Sequence, residues 1–188
     1  ILLYDLMNEG TAATYSEREY GLVYYDVILK PVYLTLTNYN NQTSGGIMIG
    51  EIETGLPDGT KAFMYYKDGA PVVVAWSNQL DDSAVTWDLG DSNVTVIDNY
   101  GNIIAENVNS VTFGEEPVYI KGLSAKYICN AVHHDLIKLN SEWIERYSDM
   151  LSESLKGEVT DVFKMAENET IDEVTEQQAL ELFNKYVD

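Results

Sequence analysis

The chain has 188 residues, 45% of them hydrophobic, 14 tyrosines and a formal charge of −20 at pH 7. That length supports one well-buried domain with an appendage but not a complete TIM barrel, which needs about 250 residues. The acidity repels phosphate backbones and anionic lipid, so nucleic acid and membrane surfaces are excluded as partners, and it reads first as a solvated surface of the kind many secreted bacterial proteins carry.

The chain opens on an apolar run (Ile1, Leu2, Leu3, Leu6) and a polar loop. Gly21-Leu22-Val23 then makes a turn, and Lys30-Pro31 begins a helix, because proline fits the first helical turn without losing a needed N–H. This is one βα unit, residues 1–40, and one such unit cannot close a parallel sheet. The helix is expected from Lys30 to about Tyr39, with Asn, Ser, Thr and Gly from Asn38 to Gly46 as a connector. Residues 45–123 show short β-rich runs split by turn chemistry, the pattern of an antiparallel sandwich. Strands are expected at 47–53, 61–67, 72–77, 84–89, 94–98, 102–106, 110–113 and 118–121. Asp68-Gly69 is the strongest hairpin signal. Val85, Trp87 and Leu89 alternate with Thr86 and Asp88, so that strand has one apolar and one wet face. Val72-Val73-Val74-Ala75 lacks alternation and reads as a central strand covered on both sides, with the 1–39 unit as its second cover. From Ser124 the period changes to about 3.6. A long helix is expected through Met150 and Leu151, a short one at 161–166, and a last one from the capping box Thr175-Glu176-Gln177-Gln178 through Tyr186, so that 124–188 forms a helical extension.

The N-terminal order resembles the last βα step of the retaining glycoside hydrolases built on a TIM barrel, of the β-xylosidase and α-iduronidase type. The resemblance is carried by Tyr4-Asp5, Asn8-Glu9-Gly10, Glu17, Tyr20-Gly21-Leu22 and Lys30-Pro31-Val32-Tyr33. It continues through Pro71–Ser77, Val94–Asn102 and Glu116–Gly122, which look like the sandwich that follows such barrels, and so covers about the first two thirds of the chain. It implies a mixed fold: an antiparallel β-sandwich with an N-terminal βα remnant of a TIM barrel and a C-terminal α-helical extension. It further implies a non-catalytic C-terminal portion of a secreted glycoside hydrolase, extracellular or at the cell surface, that buttresses the barrel and meets a polysaccharide or oligosaccharide through the parent protein. The helical third departs from that pattern. A stand-alone carbohydrate-binding or surface-interaction module is the alternative.

Asn8-Glu9 resembles the acid/base dipeptide of such enzymes, but a retaining mechanism needs a second carboxylate about 5–5.5 Å away. In the family that residue comes from another barrel strand. No catalytic residue is therefore assigned; Asn8 and Glu9 are candidates for substrate contact at the mouth of a barrel. Trp76, Trp87, Tyr65, Tyr66 and Tyr100 are candidates for stacking on sugar, since flat rings cover the apolar faces of pyranoses, although Trp76 and Trp87 suit a core at least as well. His133-His134 are neighbours pointing about 100° apart on a helix, and the turn aspartates Asp58, Asp68, Asp81-Asp82, Asp88 and Asp91 lack an EF-hand pattern, so no metal and no cofactor is expected. The single Cys129 cannot form an internal disulfide and reads as a buried thiol.

Overall fold

The computed structural model describes residues 6–8, 21–53, 55–79, 83–90, 92–133, 145–146, 148–150, 152–154, 156–157 and 176–187. Helix α1 (Pro31–Thr43) is followed by β1 (Ile47–Glu51), β2 (Thr60–Lys67), β3 (Ala70–Ser77), β4 (Val85–Asp88), β5 (Val94–Ile97), β6 (Ile103–Val108), β7 (Ser110–Phe113) and β8 (Val118–Lys121). Helices α2 (Tyr127–His133) and α3 (Glu176–Val187) complete the described elements, with a 3₁₀ turn at Ser148–Met150.

The strands form two antiparallel sheets, one of six in the order β1-β2-β3-β8-β5-β6 and one of two, β4-β7. The fold class is thus mixed, a β-sandwich with helices. All eight expected strands are present within two residues at most of their boundaries. Tight chemistry explains the sharpest turn: Asp68 and Gly69 take φ of 52° and 82°, the left-handed pair that a two-residue hairpin needs, and β2 and β3 pair in unbroken register from Thr60↔Ser77 to Lys67↔Ala70.

The core lies between the sheets. Alternation turns Ala62 and Met64 of β2, Val73 and Ala75 of β3, Val94 and Val96 of β5 and Ile120 of β8 inward, against Val85 and Trp87 of β4 and Val111 and Phe113 of β7. Helix α2 closes one side with Ile128, Cys129, Ala131 and Val132, and Ala179 of α3 reaches the same cluster. The outer face of β4 is wet as expected, with Thr86 and Thr112 hydroxyls 2.8 Å apart.

β3 is buried on both faces from Val72 to Ala75. Its second cover is α1: Tyr39 packs on Val74, Ile97 and Tyr119. Here the expected connector proves wrong. The helix runs on to Thr43 because Asn38, Gln42 and Thr43 are buried against the sheet, where Gln42 Nε2 donates to Asn38 Oδ1 at 2.9 Å and Thr43 Oγ1 to the Tyr39 carbonyl at 2.8 Å. These bonds within the helix, the burial, and the Asn38 Nδ2 donation to the Asp98 carbonyl at 3.0 Å together override the low helix preference of these residues. Of the long helix expected from Tyr127, α2 gives the first turns; its continuation over 134–144, the short helix at 161–166 and the cap at Thr175 lie outside the described residues.

Candidate functional site

Asn8 sits at the centre of the N-terminal unit, 2% exposed. Its backbone N–H donates to the Val23 carbonyl at 2.9 Å, and Val23 N–H donates to Leu6 at 3.0 Å, so Met7 and Val23 form a parallel bridge. Its side-chain oxygen accepts from the buried Gly21 N–H at 3.1 Å and from Lys30 Nζ at 2.8 Å. The Lys30 ammonium also lies 5.1 Å above the Tyr24 ring, close enough for a cation–π contact. Gly21 must be glycine, since a Cβ there would stand 2.3 Å from Asn8 N and 2.4 Å from the Met7 carbonyl carbon. Asn8, Gly21 and Lys30 therefore make one joint that binds the stub at 6–8 to the turn and to the start of α1. The Asn8 oxygen, a candidate for substrate contact, is engaged within this joint; Glu9 lies outside the described residues.

The five aromatic candidates do not converge. Tyr65 and Tyr66 are consecutive on β2 and point to opposite faces. Tyr66 packs against the core between the sheets and donates its hydroxyl to the Gly69 carbonyl at 2.9 Å. Tyr65 turns outward beneath α1, its hydroxyl 2.9 Å from that of Tyr39 and the two rings edge to face. Burial first, then the bond to Tyr39, pushes the Tyr65 phenol well above its ordinary range, and burial also raises that of Tyr119. Trp87 is 1% exposed and meets Tyr127 edge to face at 5.7 Å, so the core reading holds and sugar stacking at Trp87 is corrected: no face of the ring is open. Tyr100 is exposed in the β5–β6 turn. Trp76 is half-buried and stacks on Phe63 with ring centres 5.5 Å apart and planes 19° from parallel. Phe63 was not singled out in the sequence, although its place two residues before Tyr65 on the same strand face carries the signal.

Beside that stack Lys61 Nζ pairs with Glu51 at 2.6 Å. Both line an open cleft of about 420 Å³ together with Glu53, Leu56 and Asp58. Among the described residues no three His, Cys, Asp or Glu side chains come together as a metal site. His133 ends α2, but its side chain and His134 lie outside what is described. The Cys129 thiol is buried, and that burial raises its pKa to about 11, which keeps it protonated and inert.

The geometry defines a sandwich with an N-terminal joint that ties residues 6–8 to the turn at Gly21 and the start of α1, with no catalytic constellation among the described residues. No protein-family model and no curated protein matches the chain. Among solved structures it is similar to a family 39 glycoside hydrolase from the gut symbiont Bacteroides cellulosilyticus WH2, with a TM-score of 0.51 and 16% sequence identity over 62% of this chain and 25% of that one. The likeness is one of fold, and this chain spans about a quarter of that protein.

Proposed function

We propose that this chain is the C-terminal portion of a larger secreted glycoside hydrolase, non-catalytic by itself, in which the joint around Asn8 closes a TIM barrel and the sandwich buttresses it. The reading is carried by an apolar surface that is left exposed among the described residues. Leu6, Tyr25, Val27 and Ile28 are 54–72% exposed, and Tyr24, Leu29, Val32 and Leu34 are exposed as well. Helix α1 shows the same thing in reverse, burying Asn38, Gln42 and Thr43 while it leaves Val32 and Leu34 in water. Apolar residues gathered in this way mark an interface, and the last βα unit of a barrel needs its neighbouring strands and helices as partners. The fold shared with a quarter of a glycoside hydrolase supports the same parent. Saccharide would be met by the parent, whose two carboxylates would come from other barrel strands.

A stand-alone sugar-binding module is served less well. Of the five rings it would use, Trp87 is core, Tyr65 is tied to Tyr39 and Tyr66 to Gly69.

The test is to express the polypeptide with its upstream coding sequence and to assay both it and residues 1–188 against a panel of aryl glycosides. The longer protein should hydrolyse at least one of them and residues 1–188 none. Turnover by residues 1–188 alone, or an upstream sequence without alternating strands and helices, would sink the reading.

A further inference from the structure

We draw no further inference here: the strongest candidate, the open cleft of about 420 Å³ where the β1–β2 connection meets the start of β2, is a cluster of the carboxylates Glu51, Glu53 and Asp58 in which Lys61 already pairs with Glu51 at 2.6 Å, and nothing in the structure points to a ligand for it.

Discussion

Lys30 donates its ammonium hydrogen to Asn8 Oδ1 across 22 positions of chain, at 2.8 Å. The same oxygen satisfies the buried Gly21 N–H at 3.1 Å. Asn8→Ala would leave that N–H buried without its acceptor, a loss of about 1–3 kcal/mol. Asn8→Asp keeps an oxygen for both donors, so it should cost less than alanine. Urea unfolding should rank wild type, aspartate and alanine in falling stability, with faster amide exchange at Gly21 in the alanine variant. An alanine variant as stable as wild type would remove the joint from the account.

Gly21→Ala attacks the same joint by volume instead of by hydrogen bonding. The added methyl would stand 2.3 Å and 2.4 Å from backbone atoms of Asn8 and Met7, which cannot swing aside as a side chain can. The stub at 6–8 must then separate from the turn, at a cost of about 1–3 kcal/mol or more. The diagnostic readout is local: the amides of Asn8 and Val23, which pair the two segments, should lose exchange protection while those of β3 and β8 keep theirs.

Much of the sandwich was legible because its signals are local. Val85 and Trp87 alternate with Thr86 and Asp88, Asp68-Gly69 supplies the left-handed turn, and the unbroken Val72–Ala75 run marks a strand buried on both faces. The joint was legible only as a set of motif residues, since nothing periodic links Asn8 to Gly21 and Lys30, which are 13 and 22 positions away. The last turn of α1 was missed for a related reason: the Asn38–Asp98 bond spans 60 positions and turns a polar, connector-like stretch into a buried helical one. Among the aromatic candidates, composition pointed to rings but not to their faces. Pleating alone divides Tyr65 from Tyr66, and only the packing of β4 against the larger sheet decides that Trp87 is closed.

Val27 holds φ at 69°, in the left-handed region where a β-branched side chain is strained. It follows Asp26 in the turn closed by Val27 N–H to the Tyr24 carbonyl at 2.9 Å, and glycine is the natural occupant of such a position. Val27→Gly relieves a strain of about 1–2 kcal/mol and gives back about 0.5–1 kcal/mol in chain entropy. The expected net effect is a gain on the order of 0.5 kcal/mol, read as a higher urea midpoint with an unchanged slope. A lower midpoint would show that the valine side chain has contacts worth more than the strain.

Asp98 anchors the β5–β6 turn. Its Oδ1 accepts from the N–H groups of Tyr100 and Asn102, and its Oδ2 from Asn102 Nδ2. Burial works against the charge, but the side-chain and backbone bonds from Asn102, Tyr100 and Gly101 outweigh it and hold the carboxyl below its ordinary range. A depressed pKa contributes stability that is present above the unfolded value of about 3.9 and is lost as pH falls through the folded one. Asp98→Asn should therefore lower stability on the plateau above pH 6, where the charged acceptor contributes in full, and flatten the acid limb of stability against pH. The carbonyl of Asp98 also receives Asn38 of α1, so loosening in acid should extend to that contact and appear as amide exchange in α1.

Tyr65 gives the opposite limb. Burial, followed by the bond to Tyr39, raises its phenol above the ordinary value of about 10. Ionisation is then easier in the unfolded chain than in the folded one. The stability so contributed is complete below pH 10 and drains away as pH rises through the folded pKa. Tyr65→Phe removes the titrating group, so its stability should decline less steeply in alkali than that of wild type. Near neutral pH it should be less stable by about 0.5–1.5 kcal/mol for the lost hydrogen bond. Tyr119, also raised by burial, keeps its own share of the alkaline limb, and the decline should be reduced rather than abolished. Parallel alkaline limbs for wild type and Tyr65→Phe would mean that the buried Tyr39–Tyr65 contact does not persist in solution, and α1 would then be held on β2 by the Lys67 bond to the Asn41 carbonyl without it.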